Sequence, residues 1–309
     1  MRPRILFEED IDRNAEYDCD QIDTLVFTVS NHLCGAINSS QLNARPKRLL
    51  NSLCDVQVQT HKTIRGLLRF ESDSFAPKTA ALSLVREQLE AFFLLLFVLD
   101  NPDDRASHFM KYNWRRYYEF YLLEKTEMGG LESWKDYLRT KAPDFLKKIA
   151  YQAGVTEEEQ EREDKIFGGS ASKRDRLITD FPTPGRIVQQ ISCPRTRRLG
   201  EAWLPEWHRY CGLVHVHVPK LMNLEVENSL WRLSPGDAVG YLQNTYGVAI
   251  VLSWLAIACS AAEIFHSTQN IDLMASLDKL WRKLREISLL ARLFWEAGIK
   301  EAMPATIDC

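Results

Sequence analysis

The sequence lacks most of the short motifs that mark nucleotide-dependent or hydrolytic enzymes. It contains no glycine-rich phosphate loop, no G-x-S-x-G nucleophile turn, no H-E-x-x-H metal site and no dinucleotide-binding fingerprint. The stretch Gly168-Gly169-Ser170 is not preceded by a strand pattern, which a phosphate-binding turn would require. The motifs therefore predict no cofactor and fix no reaction.

Paired cysteines and a charge excess are also missing. The seven cysteines are odd in number, widely scattered and without a C-x-x-C pair, so we expect a reducing compartment and no disulfide framework. With 39 basic and 42 acidic side chains the net charge is only -3, and a nucleic-acid ligand would need a local basic patch. We predict a cytoplasmic protein.

The chain also has little that indicates export or a membrane span. The N-terminal decapeptide Met1–Asp10 turns acidic before an apolar core of signal-peptide length can form. No charged residue occurs from Ala238 to Ala262, but the strongly apolar run is only Val248 to Ala262. We interpret this run as a central helix buried on all sides, and we expect no membrane partner.

Apolar residues recur at helical spacing along most of the chain, and β-type alternation is nearly absent. The predicted helices pass through Leu25–Ala36, from Pro46 to about Arg69, from Asp73 or Ser74 to Leu96, from Asn101 through an aromatic-rich stretch to Gly129, between Glu132 and Ile149, along a solvated acidic run at 157–164, between Pro205 and Pro219, over Asp237–Phe265, and over Leu273–Ala297 with Gly298 as C-cap. This pattern predicts an all-α, multi-helix antiparallel bundle. We expect one elaborate domain, 1–309, with its core at about 15–128 and 200–298 and an irregular insertion at about 166–200.

The third helix carries a charged pair in very apolar surroundings. Arg86 and Glu90 have the i,i+4 spacing and share one helical stripe with Phe93 and Phe97. An exposed pair would be weakly stabilising, whereas a buried one would need further hydrogen bonds. We expect a partner for this pair from another helix.

The helix between Pro205 and Pro219 carries three of the seven histidines. His208, Cys211 and His215 lie on one helical face, which is a minor zinc hypothesis without a recognisable fourth ligand. Arg209 and His215 form an R-x5-H string, in which an imidazole can exchange protons while a guanidinium stabilises phosphate oxygens. This string is common by chance and needs a structural context.

Two of these segments carry a resemblance to known proteins. The stretch Ala80–Ala91, followed by Asn101-Pro102-Asp103-Asp104-Arg105-Ala106 and Phe109, resembles a family of uncharacterised helical prokaryotic proteins over roughly residues 45–265. That domain-of-unknown-function family has an R-x-x-x-E helix, a short N/D-P-E/D turn and a later Tyr/His helix. Tyr210 with His215 and His217 would be that helix here, with approximate spacing.

The family in turn looks similar to the HEPN group, which consists of helical bundles that often dimerise and include metal-independent RNases of toxin and phage-defence systems. The resemblance implies that Arg209 and His215 match the R-x4-6-H motif of that group. Tyr210 stands where a small polar residue is common, so a non-catalytic HEPN-like binder is also open.

Two functions follow as hypotheses. In a HEPN-like RNase, His215 or His217 would act as acid and base, Arg209 would stabilise the phosphate, and Glu90 with Arg86 would orient the helix; RNA would be the partner. In a non-enzymatic interaction protein, Arg86, Glu90 and His215 would form a buried network that fixes helix register, and the partner would be a second copy or another protein. Both hypotheses expect the ionic stripe of the third helix to face the histidine-bearing helix.

Overall fold

A computed structural model describes residues 19–69, 75–127, 132–214 and 235–303. These residues are almost entirely helical and include no β-strand, which confirms the predicted all-α multi-helix class. The helices are α1 (Cys19–Ser39), α2 (Ala44–Arg69), α3 (Phe75–Asp100), α4 (Pro102–Glu127), α5 (Glu132–Thr140), α6 (Ala142–Ala153), α7 (Glu157–Phe167), α8 (Pro184–Gln190), α9 (Pro194–Val214), α10 (Pro235–Thr268), α11 (Ile271–Ile287) and α12 (Leu289–Phe294). A π-helical turn (Trp295–Ile299) and a short helix (Lys300–Ala302) follow α12.

The chain divides into two compact units, whereas the sequence predicts one domain. Unit 1 consists of Met1–Asp100 with Pro184–Cys309, and unit 2 consists of Asn101–Thr183. The difference arises because α4, placed in the common core by its aromatic pattern, packs on α5, α6 and α7 of its own unit.

Unit 1 is built around α10, which packs against α1, α2, α3 and α11. Helix α3 in turn packs on α2, α8 and α9, and α1 packs on α11. Among the described residues, Ala249–Thr268 is the one helical segment that is long and apolar enough to cross a membrane. Its most apolar part is 94% buried inside the fold. This burial agrees with the predicted central helix, while cytoplasmic localisation stays a prediction.

Unit 2 has a smaller core of its own. Buried Trp114 and Tyr118 of α4 stack at 4.9 Å and pack with Leu146, Ala153 and Ile178. Helix α7 begins with a capping box, in which the Thr156 hydroxyl accepts from the backbone of Glu159.

The predicted irregular insertion at 166–200 is wrong in extent. Helix α7 continues to Phe167, and helix then resumes at Pro184 and Pro194, so the irregular stretch is 168–183 with one 3₁₀ turn. A proline is favoured in the first turn of a helix because the missing N–H would have no partner there. Pro184 and Pro194 therefore begin helices, and Pro205 lies inside α9 and does not start it.

Two further boundaries differ from prediction. The helix expected between Glu132 and Ile149 is two helices, α5 and α6. The last long helix breaks at Ser288, and Gly298 lies in the π-helical turn and is not a C-cap. A Cβ on Gly298 would stand 3.3 Å from the Arg195 carbonyl oxygen, so close packing explains the glycine.

Candidate functional site

The predicted ionic pair forms along α3, with Arg86 partly buried and Glu90 exposed. Arg86 Nη2 lies 2.8 Å from Glu90 Oε1; the Arg86 side chain is 14% exposed and that of Glu90 is 46% exposed. Of the two alternatives left open by the sequence, an exposed or a buried pair, the exposed one describes Glu90. The physical reason is that the shared stripe is buried only at Phe93 and Phe97. The Glu90 side chain is long enough to reach water from its position on the helix.

The face of α3 that meets α9 is apolar. The rings of Phe92 and Trp203 are 5.8 Å apart, and a Cβ on Gly200 would lie 3.6 Å from Leu96 Cδ1. Arg86 is separated from Phe92 by about 120° around the helix axis, at about 100° per residue. The side chains from Arg209 to Val214 and all of His215 lie outside the described residues, so the juxtaposition of the ionic stripe with the histidine-bearing helix stays a prediction.

The other predicted catalytic side chains fall outside the described residues. Arg209 is on the described backbone of α9, but its side chain is not described, and His215 and His217 lie beyond Val214. Their catalytic roles stay predictions. Within the described parts of the chain, no three His, Cys, Asp or Glu side chains lie together as metal ligands. His208 is exposed, and the zinc hypothesis stays a prediction because the side chains of Cys211 and His215 lie outside the described residues.

A buried polar network joins α1, α2 and α10. His61 Nε2 lies 3.1 Å from Asp23 Oδ1, and His61 Nδ1 lies 2.8 Å from Ser253 Oγ. The indole N–H of Trp254 donates to the same Asp23 oxygen at 2.7 Å, and Arg65 Nε forms an ion pair with Asp23 Oδ2 at 2.5 Å. One carboxylate of α1 thus contacts groups from two other helices, α2 and α10.

The connections from Ser253 through His61 to Asp23 match those of a nucleophilic serine triad. A nucleophile must reach its substrate, however, and both Ser253 and His61 have no exposed surface. Since Asp23 can only accept, His61 Nε2 carries a proton, and a neutral imidazole can accept the Ser253 hydroxyl at Nδ1. The arrangement is a polar clamp between helices.

The clamp keeps Asp23 ionised. Burial acts to raise the pKa of Asp23, but the hydrogen bonds from His61 and Trp254 and the charge of Arg65 outweigh it, so the pKa lies below its ordinary value. Sequence reasoning missed this cluster. The available signal was a short polar side chain at a core position, since His61 follows Gln57 and precedes buried Ile64 on one face of α2.

A second layer of polar contacts continues along α2 and α10. The Gln57 side-chain amide donates to Ser260 Oγ at 2.8 Å, and the Gln88 amide of α3 donates to the Gln57 carbonyl at 2.8 Å. Gln57 and Gln88 are both almost fully buried. Hydrogen bonds of this kind fix one helix register, because a shift of one turn would leave buried amides unpaired.

A buried ion pair joins α9 to α10. Arg195 faces Glu263 with both terminal nitrogens, Nη2 lying 2.8 Å from Oε2, and the Thr196 hydroxyl donates to Oε2 at 3.0 Å. The two charged side chains are only 8% and 3% exposed. The two-point geometry satisfies the guanidinium and carboxylate together.

Cys193 precedes α9 and has a lowered pKa. Partial burial acts to raise it, but hydrogen bonds from Thr196 and from the backbone of Arg195, with the Arg195 charge, outweigh that effect. In contrast, full burial raises the pKa of Cys54 to about 12. Thiolate character in unit 1 is therefore favoured at Cys193 over Cys54.

Charged groups also lie between α4 and α7 in unit 2. Arg115 is 1% exposed, donates to the Ile178 carbonyl at 2.6 Å and pairs with Asp180. Arg176 pairs with Glu119 and with Glu163, which is only 3% exposed. The predicted solvated face of the acidic run is therefore wrong for Glu163. Burial raises the pKa of Glu163, and the charges of the nearby arginines offset this effect only in part.

Unit 2 exposes aromatic side chains on α4, α5 and α6. Tyr151 of α6 is 87% exposed, and Phe145 of the same helix is 48% exposed. Phe145 meets exposed Tyr117 of α4 edge-on, with ring centroids 6.3 Å apart. The exposed aromatics of these helices, which we call the aromatic surface, are Tyr117, Phe120, Trp134, Tyr137, Phe145 and Tyr151.

Comparisons with protein-family models, with curated proteins and with solved structures found no match. The resemblance to a family of helical prokaryotic proteins and to the HEPN group therefore stays a prediction from the quoted residues.

Proposed function

We propose that this chain is a non-enzymatic helical interaction protein whose aromatic surface on unit 2 binds a partner. The observation that carries the proposal is the exposure of large rings, above all Tyr151 at 87%. Two pairs of these rings are in contact, Tyr117 with Phe145 at 6.3 Å and Trp134 with Tyr137 at 5.2 Å. Contiguous exposed apolar patches often mark interaction sites, and aromatic residues supply much of the energy at interfaces.

The polar clusters of unit 1 support the same proposal. The catalytic-type groups Asp23, His61 and Ser253 are buried and bonded to one another between helices, as Arg195 and Glu263 are. Groups in this state stabilise a scaffold and hold its helices in register. The network predicted for Arg86, Glu90 and His215 stays a prediction, because His215 lies outside the described residues.

Hydroxyl-radical footprinting of the full chain, in purified form and in extract of its native cells, tests the proposal. We expect Tyr151 and Phe145 to be modified more slowly in extract, because a partner covers them. Phe167 of α7, an aromatic 41% exposed and outside the aromatic surface, serves as the control and should react equally in both. Equal rates of Tyr151 modification in buffer and in extract would refute the proposal.

The HEPN-like RNase predicted from the sequence is the competing hypothesis. An RNA-cleavage assay in the presence of EDTA compares the wild type with His215→Ala and Arg209→Ala. Cleavage by the wild type that is lost in both variants would contradict a non-enzymatic role, and absence of cleavage in all three agrees with it.

A further inference from the structure

We propose that Lys173-Arg174 is a proteolytic site, at which a protease specific for basic residues cuts the folded chain into two fragments that stay associated. The site lies in the segment that we call the glycine–serine loop, Gly168-Gly169-Ser170-Ala171-Ser172-Lys173-Arg174-Asp175. The loop follows α7 in unit 2. Neither the aromatic surface nor its partner takes part in this cut.

Lys173 and Arg174 differ from the other basic residues of the described chain in their backbone and their contacts. Outside the α-helices of the described ranges, the basic residues are Lys141, Lys173, Arg174 and Arg176. Lys141 is the single residue between α5 and α6 and has helical backbone angles. Arg176 is held by two carboxylates. Lys173 and Arg174 are exposed and form no ion pair with a described residue, so their side chains can enter a protease pocket that carries a carboxylate.

The glycine–serine loop can open without unfolding a helix. A bond inside a helix is cut only after local unfolding, whereas exposed loop tips of small and polar residues are preferred sites of cleavage. In the part of the chain that the structure describes, the hydrogen bonds of the turn Ser172–Asp175 stay within the turn, at 2.9–3.2 Å. Opening this turn therefore breaks no contact with α4 or α7.

Firm contacts on both sides confine the opening to the loop. Before the loop, Lys111 of α4 pairs with Glu159 of α7 at 2.7 Å, and Ile166 is buried. After the loop, Ile178 is buried, and its carbonyl accepts from Arg115 of α4 at 2.6 Å. A protease can therefore bind the loop while α7 and the chain after the loop stay in place.

The reaction is hydrolysis of one peptide bond by water. In the cut after Lys173, the bond between the Lys173 carbonyl carbon and the Arg174 nitrogen breaks. The carbon gains the hydroxyl group of the water, and the nitrogen gains the remaining proton. The products ionise to a carboxylate and an ammonium group, and both lie in an exposed loop where water solvates them, so the cut leaves no buried charge.

Unit 1 contains residues from both sides of the cut, and its core holds the fragments together. Helix α10 belongs to the fragment after the cut and packs against α1, α2 and α3 of the fragment before it. Two buried hydrogen bonds join the fragments: the Trp254 indole N–H donates to Asp23 at 2.7 Å, and the Gln57 amide donates to Ser260 at 2.8 Å. Hydrolysis in the glycine–serine loop removes none of these contacts.

Brief trypsin digestion of the native full chain, followed by denaturation and mass spectrometry, measures the cleavage of each bond. The matched control is Lys147-Lys148, an exposed basic pair in the same unit that lies inside α6. We expect the cut at 173–174 to be faster by a factor of about ten or more, because α6 must first unfold locally. Equal rates at the two pairs overturn the assignment of the site.

The variant Lys173→Gln/Arg174→Gln tests whether the ion pairs protect the neighbouring Arg176. Under conditions that cut the wild type, this variant should stay intact throughout the segment 168–183, whereas Lys147→Gln/Lys148→Gln should be cut in the glycine–serine loop as the wild type is. Thermal unfolding checks that both variants keep the fold. Cleavage after Arg176 at the wild-type rate would contradict the proposal, because the anchored part of the segment would then be as accessible as the turn.

Size-exclusion chromatography of the digested protein tests whether the fragments stay associated. In native buffer, fragments 1–173 and 174–309 should elute together at the position of the uncut chain, and in urea they should separate. The urea midpoint of the cut protein should rise with protein concentration, since its fragments reassociate by mass action. Fragments that separate in native buffer would show that unit 1 does not hold the cut chain together, which overturns this part of the proposal.

Discussion

Replacing Asp23 by asparagine tests whether a buried charge holds α1 against α2 and α10. The Asp23 side chain is 10% exposed and that of Arg65 is 15% exposed, with 2.5 Å between Oδ2 and Nε. The amide of Asp23→Asn keeps one acceptor for Trp254 and His61 but places a donor against the Arg65 guanidinium. Removing one partner of a buried pair costs about 3–5 kcal/mol, and because Arg65 keeps a contact to Asp20, we expect a loss of about 3 kcal/mol.

The matched control is Asp20→Asn, which removes a carboxylate from the same arginine on the solvent side. Asp20 is 80% exposed at the side chain and lies 3.0 Å from Arg65 Nη2, so the loss should be below about 1 kcal/mol. Urea unfolding followed by far-ultraviolet circular dichroism measures both variants. Equal losses in the two variants would refute the reasoning, since burial of the charge would then have no effect.

The clamp also predicts a pH dependence. Because the pKa of Asp23 is lowered in the folded state, its contribution is complete above the unfolded value and is lost as the pH falls through the folded value. The difference between the wild type and Asp23→Asn should be constant near neutrality and shrink below about pH 4. A difference that grows on acidification would contradict a lowered pKa.

The remaining predictions concern three other buried or partly buried groups. The pKa of Glu163 is raised in the folded state, so the stability that its protonated form provides is lost as the pH rises above about 4.5. The thermal stability of Glu163→Gln relative to the wild type should therefore increase from about pH 4 to about pH 7. A difference between the two proteins that stays constant over this range would contradict the raised pKa. Alkylation followed by mass spectrometry should label Cys193 in the native protein and Cys54 only after unfolding, whereas equal native labelling would contradict the burial of Cys54. Glu263→Gln should cost about 3–5 kcal/mol in urea unfolding, and adding Arg195→Met should recover part of it, because no buried charge then lacks its partner; a double variant less stable than the single one would exclude this account.

Helices whose signals are local could be predicted from the sequence. For α2 and α4 the starting signals, Pro46 and Asn101-Pro102, lie within a few residues of the observed start, and apolar spacing defines the buried face. At 184–200 the prolines led to a wrong prediction of an irregular segment, because a proline indicates a loop as readily as the start of a helix. Local signals of this kind do not determine whether Pro184 or Pro194 ends or begins an element.

The division into two units could not be predicted from periodicity. The aromatic stripe of α4 has the spacing of a core helix, and Trp114 and Tyr118 are buried, but in the core of unit 2. Tyr117 and Phe120 of the same helix are exposed. Periodicity shows which face of a helix is buried and does not show which neighbour buries it. The partners of α4 include Leu146 and Ile178, which are far along the chain.

The buried polar cluster of α1, α2 and α10 could not be located from the charged pair of α3, for a reason that concerns side-chain length. Arg86 and Glu90 are conspicuous in an apolar helix, but long side chains can reach water from a half-buried position, as the 46% exposure of Glu90 shows. Short polar side chains cannot do so, and a histidine, aspartate or serine at a core position must find its partner inside. His61 meets Asp23 across 38 positions and Ser253 across 192, so the pairing depends on the fold, although the short residues themselves are visible in the sequence. Short polar residues on the apolar faces of α2 and α10 were therefore the better indicator of the buried cluster than the charged pair of α3.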